Sequence, residues 1–403
     1  GRVVLPESFC TSQRELIANG FERPEMREAA RAVGADVRLL AAAFSYMLDQ
    51  AEIAMACALG TGADMVERLV EEYAPAEVAA LLRSLLPDGT LIGQTAQAFT
   101  ERTGGSDLGA IETTATPDGD AWRLNGLKWF VSNVNGVAFV VLAKPVGAED
   151  ATRGVAPFLV LRRRRDGSPN GVIVRRLKDK LGTKGVPSGE VELVDAEGFV
   201  LAPTSGGDGR AGDGRGLARM MQMTNGARLG VAMMGLGCAR RALVEAICYA
   251  RAREAFGRRL LEAPLVQRKL AELIVEVEAT QKLVFDGYLT PLRLGAPLAK
   301  LRAARLGITA ASDAIELLGG NGYIEQWPVA RILRDAQVNT IWEGPDNILC
   351  LDVGRAITRE SAHLPLLERA ARAVAAGGVD ETTGSAVRHA IERAEAAVER
   401  WQR

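Results

Sequence analysis

The hydrophobic pattern changes period twice along this chain, and each change demands a different kind of packing. Residues 24–86 are Ala-rich, with Leu39, Leu40, Phe44, Met47 and Leu48 at helical spacing and few turn signals, which predicts a helical layer. Near Gly93 the pattern shortens to alternating or apolar runs. Trp122 and Leu124 follow the turn Asp118-Gly119-Asp120, then come 139–142, 158–161, and Val191 with Leu193 between Glu190 and Glu192. These predict strands of an antiparallel sheet or barrel. A Gly- and Asp-rich stretch at 205–216 has the composition of a mobile connection. Beyond it, Leu229, Ala232, Met233, Leu236, Leu243 and Ile247 return to the 3.6-residue period, as do 265–285 and 299–318.

The expected fold class is therefore α+β and multidomain. It comprises an N-terminal helical domain (1–92), a central antiparallel β-sheet or barrel domain (93–205), a C-terminal four-helix bundle (206–357) and a helical extension (358–403). The four arginines at 162–165 end one strand and read as a solvated sheet edge.

Composition narrows the function. A formal net charge of −1 provides no global field for nucleic acid. Five scattered cysteines without a C-x-x-C pair and only two histidines, His363 and His389, argue against a structural metal site and a His-based triad. The odd cysteine count and the lack of a secretory signal favour a reducing cytoplasm, and charges interrupt every apolar segment short of a membrane span.

Two constellations carry chemistry. In Ile341-Trp342-Glu343-Gly344-Pro345-Asp346-Asn347-Ile348 a carboxylate sits in an apolar run just before a Gly-Pro break. Apolar flanks disfavour its charged form and raise its pKa into the range of a useful base; the bland alternative is a structural acid at a helix start. Thr100-Glu101-Arg102-Thr103-Gly104-Gly105-Ser106-Asp107 and Gly126-Leu127-Lys128-Trp129-Phe130-Val131-Ser132-Asn133 offer hydroxyls, closely approachable backbone amides and aromatics, the groups that hold a phosphate-bearing aromatic cofactor. A surface turn and a core aromatic are the bland readings.

Together with Arg253-Glu254-Ala255-Phe256-Gly257 and Leu318-Gly319-Gly320-Asn321-Gly322-Tyr323, these segments resemble, in order, the motifs of the acyl-CoA dehydrogenase flavoprotein superfamily. The resemblance covers roughly residues 93–357. It implies FAD as cofactor, with Phe99, Thr100, Gly105, Ser106, Phe130, Ser132, Gly319, Gly320 and Asn347 at the flavin or its pyrophosphate. Arg253 and Phe256 would be contributed across a subunit boundary of a homotetramer.

It also implies α,β-dehydrogenation of an acyl thioester, with Glu343 as the base and electrons passing to an acceptor flavoprotein. The family's other base position, before Arg228, holds Ala227 here. Arg228 itself matches an arginine near the base and the thioester, although a structural ion pair is an equal reading. Departures stand at Glu262, Glu316 and Pro345, and they bear on adenosine and flavin contacts.

Segments at 176–182, 263–265 and 338–353 are similar to the AidB-type, alkylation-response branch. Relatives in that branch carry a basic C-terminal domain, but residues 358–403 here hold seven Arg against seven Asp plus Glu. That balance argues against nucleic acid, and Leu364, Leu367, Ala371 and Val374 predict packing on the bundle. The competing functions are a flavin oxidase or monooxygenase acting on a nitro or amino compound, and a nucleic-acid-associated stress flavoprotein.

Overall fold

The computed structural model describes all residues except 1–2, 20–23, 61–62, 87–88, 149–151, 202–215, 291, 378 and 403. The expected connection at 205–216, and with it the 205/206 boundary, falls almost wholly outside the described residues. The chain divides into two compact units, 1–227 and 228–403.

The first unit begins with six helices: α1 (Glu7–Ala18), α2 (Pro24–Ala32), α3 (Val37–Ala51), α4 (Ile53–Gly60), α5 (Ala63–Tyr73) and α6 (Ala76–Leu85). Asp36 caps α3, its carboxylate accepting the Arg38 amide at 2.8 Å. Phe9, Ile17, Met55 and Leu59 of α1 and α4 share one apolar cluster with Val186.

Asp49 of α3 is buried, and its Oδ1 has no hydrogen-bond partner. Burial lifts its carboxyl well above the usual aspartate range. The folded state therefore holds a proton that the unfolded chain releases, so this contribution is complete below the unfolded pKa and is lost as pH rises through the folded one. Asp49→Asn cannot ionise. Its stability relative to the wild type should grow by about 1.4 kcal/mol per pH unit between the two pKa values, as followed by thermal unfolding across pH. A pH-independent difference would refute it.

The strands are β1 (Thr95–Ala98), β2 (Thr114–Asp118), β3 (Ala121–Ser132), β4 (Ala138–Pro145), β5 (Ala156–Leu161), β6 (Val172–Leu177) and β7 (Ser188–Val200). They run in the order β1-β4-β2-β3-β7-β5; the β4–β5 ladder closes the ring and β6 adds to β7. Most ladders are antiparallel as expected, but β4 pairs parallel with both β1 and β2. Phe139 and Val141 of β4 share a core with Trp122, Leu124, Phe158 and Leu193, while Val140 and Leu142 pack with Val66, Leu69, Val78 and Leu82 of α5 and α6. Both faces of β4 are covered, which is why its sequence is continuously apolar rather than alternating.

The arginine run corrects the expectation of a solvated edge in one respect. Arg163 and Arg165 are exposed, but Arg162 turns inward: its Nε donates to the Gly136 carbonyl at 2.9 Å, a second donor bonds the Val134 carbonyl, and its guanidinium lies over Phe139. Those carbonyls sit in a turn and need a donor, and the arginine provides it.

α7 (Gly216–Ala252) contains the boundary between the units. The second unit continues with the short strands β8 (Glu254–Ala255) and β9 (Arg258–Arg259), then α8 (Pro264–Leu289), α9 (Gly295–Leu318), α10 (Pro328–Gln337), α11 (Asp346–Glu360), α12 (Leu364–Ala375) and α13 (Glu381–Gln402). α7 and α9 approach closely: a Cβ on Gly235 would lie 2.6 Å from the Ala303 carbonyl oxygen, and one on Gly307 2.9 Å from that of Gly235. The tail does pack on the bundle, although none of α12's apolar residues is fully buried. Arg369 pairs with Asp286 of α8, and the Trp401 ring covers Gly354 so tightly that a Cβ there would meet it at 2.6 Å. No described helix is long and apolar enough to cross a membrane, and no described cluster of His, Cys, Asp and Glu could hold a metal.

Candidate active site

In the first unit the two cofactor-type motifs are joined by their backbones. The Trp129 amide donates to the Thr100 carbonyl at 2.8 Å, and the Glu101 amide to the Gly104 carbonyl at 2.7 Å, closing the loop that presents Gly105 and Ser106 to solvent. Beneath it lies a buried ion pair that the sequence motifs do not announce. Lys128 Nζ stands 2.5 Å from Glu101 Oε1 and donates to the Leu142 carbonyl at 2.6 Å. Glu101 also accepts the Glu112 amide at 2.6 Å and the Thr113 hydroxyl at 2.5 Å. Burial raises the Glu101 carboxyl, but the Lys128 charge and these donors outweigh it and hold it below its ordinary value. Burial pushes the Lys128 amine down to about 8.

β3 carries one extra residue against β7 between Lys128 and Val131, a bulge that re-aims the side chains there. Lys128 and Val131 are buried, whereas Phe130 stands 53 % exposed, its ring 4.9 Å from Lys178 Nζ. Ser132 Oγ is 3.1 Å from Ser188 Oγ, and Asn133, at φ +58°, donates its amide to the Gly93 and Thr95 carbonyls. Phe99 is half-buried against the core beneath β4 and lends its carbonyl to Lys128 at 3.4 Å. An exposed aromatic face, a half-buried hydroxyl and an open glycine loop, where a Cβ on Gly105 would meet only Thr100 at 3.5 Å, suit a flat aromatic ring bearing a phosphate.

In the second unit, Glu343 and Gly344 lie between α10 and α11, both in left-handed conformation at φ +52° and +95°. A non-glycine residue there costs on the order of 1–3 kcal/mol and persists only where its surroundings impose it. Two cations impose it. Arg228 Nε donates to the Glu343 carbonyl at 3.3 Å, and Lys300 Nζ to the Gly344 carbonyl at 2.6 Å. Arg228 is itself buried against Asp352 at 2.5 Å, and Asp352 also receives Arg293 at 2.6 Å. Arg228 is thus ion-paired, and it also touches the Glu343 backbone.

Burial raises the Glu343 carboxyl above the usual glutamate range, against the opposing charges of Arg228 and Lys300. Ile341, expected to dry it, is 65 % exposed, while Trp342 is half-buried and donates its indole N–H to Asn339 at 3.0 Å. The acid at the helix start is Asp346, in the first turn of α11 and 2.6 Å from Arg305; Glu343 precedes that helix and does not serve its N-terminus.

The remaining candidates face solvent. Arg253 is exposed at the end of the α7 segment, and Phe256, on the hairpin between β8 and β9, is 98 % exposed at φ +55°. A Cβ on Gly319 or Gly320 would meet nothing within 4 Å, and Asn347 is exposed. Sequence reasoning passed over Lys300, yet a signal was present: it falls in the Ala-rich spacing 296, 299, 303, 307 that α9 turns into the core.

Comparison with known proteins bears on the whole arrangement. Residues 96–196 match the acyl-CoA dehydrogenase middle domain and 214–358 its C-terminal domain. Over 295 residues the chain is 35% identical to the putative acyl-CoA dehydrogenase AidB of Escherichia coli, covering 70% of this chain and 51% of the relative. It is 30% identical over 327 residues to the short-chain specific acyl-CoA dehydrogenase of Clostridium acetobutylicum, covering 78% and 82%. The structure of Caenorhabditis elegans ACDH-11 in complex with C11-CoA superposes with a TM-score of 0.78 at 28% identity, covering 99% of this chain and 69% of that one. The chain spans about half the length of the first curated relatives it matches.

Proposed function

Because the chain belongs to the acyl-CoA dehydrogenase family, we propose that it oxidises an acyl thioester between its α- and β-carbons, with Glu343 taking the α-proton. The observation that carries this reading is the Glu343 turn: a carboxyl with raised proton affinity, on a strained backbone fixed by Arg228 and Lys300. An α-proton beside a thioester is weakly acidic, and a carboxylate of ordinary pKa in water is a poor base for it. Partial desolvation raises basicity, and a fixed turn removes the entropy of finding the substrate.

The open, aromatic and hydroxyl-bearing surface around Thr100, Gly105, Ser106, Phe130 and Ser132 in the first unit suits FAD. When bound, FAD supplies the acceptor for the hydride that leaves the β-carbon. Phe130 would stack on the ring, and Ser132 and Thr100 would bond its polar edge. Arg253 and the protruding Phe256 support a homo-oligomer in which they reach the cofactor of another copy, since both side chains stand exposed, Phe256 almost completely. A separate flavoprotein is the proposed electron acceptor.

The test is anaerobic addition of a panel of acyl-CoAs to the yellow holoprotein while flavin absorbance is followed. Bleaching by thioesters supports the reading. Bleaching by nitro or amino compounds alone, with oxygen uptake in air, replaces it with an oxidase. Salt-sensitive duplex binding without bleaching replaces it with a nucleic-acid-associated protein.

A further inference from the structure

We propose that Lys300 is a positioning residue for the base: buried in the bundle, it anchors the Glu343–Gly344 turn through the Gly344 carbonyl, and its ammonium adds to that of Arg228 a second positive charge at the turn that carries the Glu343 carboxyl. The inference rests on the proposed role of Glu343 and adds to it a residue that no motif contains.

The charges around the turn leave Lys300 as the one not already engaged. From α7, Arg228 faces the turn, but its guanidinium is paired with Asp352. From α11, Asp352 is shared between Arg228 and Arg293, and Asp346 is taken by Arg305 of α9 at 2.6 Å. Arg293 in turn has Glu360 at 3.3 Å. Lys300 is fully buried, and among the described residues it forms no ion pair and bonds only the Gly344 carbonyl.

A buried ammonium with one neutral acceptor is costly. Methionine would fill the same volume without that cost, so the charge needs a reason. Asp346 and Glu343 supply one: the charge of Asp346, and after it that of Glu343, raises the Lys300 amine, while Lys300 adds to Arg228 in lowering the Glu343 carboxyl. Burial nevertheless pushes the amine down to about 8, so Lys300 is charged at neutral pH and loses its charge in mild alkali. The hydrogen bond to Gly344 fixes the residue immediately after the base, and Arg228 fixes the base's own carbonyl. Two successive left-handed residues thus have one cation each.

Two variants separate anchoring from charge. Lys300→Gln keeps an N–H donor and loses the charge; Lys300→Met loses both. In the holoprotein, infrared difference titration reads the Glu343 carboxyl directly, the band being identified by its disappearance in Glu343→Gln. Both Lys300 variants should move that titration upward by about one pH unit, as expected for loss of a nearby opposite charge. The rate of thioester-driven bleaching, measured above the shifted pKa, should fall at least about tenfold further in Lys300→Met than in Lys300→Gln, because only the former frees the turn.

An unmoved Glu343 titration in either variant overturns the charge role, and equal rates in the two variants overturn the anchoring role. If Lys300→Met does not fold, Lys300→Gln still decides the first, and Lys300→Arg, whose bulk displaces the turn while keeping the charge, decides the second by losing rate without moving the titration. If the wild-type protein is bleached by no thioester, the dehydrogenase reading fails by itself, while the titration still reports on Lys300.

Discussion

If Glu343 is the proposed base, replacing it by Gln should leave a protein that folds, retains its yellow cofactor and is bleached by acyl-CoA about 10²–10⁴ times more slowly than the wild type. Folding should survive because the two cations that impose the left-handed turn grip the Glu343 and Gly344 carbonyls rather than the carboxyl. Among the described residues the carboxyl makes no hydrogen bond, and Gln preserves its volume. The wild-type rate should rise with pH through a pKa above the ordinary glutamate value, since only the ionised carboxyl accepts a proton and burial raises its affinity for one. Stopped-flow absorbance across pH measures both effects. An undiminished rate in Glu343→Gln would remove the residue from the mechanism.

Lys128→Met should destabilise the first unit by about 3–5 kcal/mol. The substitution strands Glu101 in the interior as an uncompensated carboxylate that still accepts the Glu112 amide and the Thr113 hydroxyl. It also leaves the Leu142 carbonyl of β4 without its donor. Adding Glu101→Gln to Lys128→Met should restore part of the loss, since the amide needs no counter-charge; a double variant no more stable than the single one would contradict that account. Denaturant unfolding measures the energies. The flavin content of purified Lys128→Met should fall as well, because Thr100 and Phe130 flank the broken pair in sequence and the loop at 100–106 hangs on it.

Much of the fold was legible in the sequence. Helices fell where the 3.6-residue period placed them, as at 229–247 and 299–318, and strands where apolar runs at 139–142 and 158–161 stood between turns. The extra parallel ladders of β4 were not legible, because a strand buried on both faces records nothing in its sequence about the direction of its neighbours. The motif residues were found because their chemistry is local: two glycines beside hydroxyls, or one acid in an apolar run, can be recognised in a window of eight residues.

What completes the candidate site is not local. A core aromatic was the alternative for Phe130 in a regular strand, and only the bulge before Val131, which turns the ring outward, decides against it. Lys128 and Lys300 look like ordinary surface lysines until Glu101 and Gly344 are seen to meet them. The desolvation of Glu343 was expected from Ile341 and Trp342, of which Trp342 is half-buried and Ile341 faces solvent. Sequence by itself determined the element types, their order and the identity of the candidate base, because periodicity and side-chain chemistry are written residue by residue. The tertiary structure alone decided which buried charges are paired, which remains unengaged, and which backbone carbonyls they hold, because burial and electrostatic coupling depend on distances between segments that lie far apart in the chain.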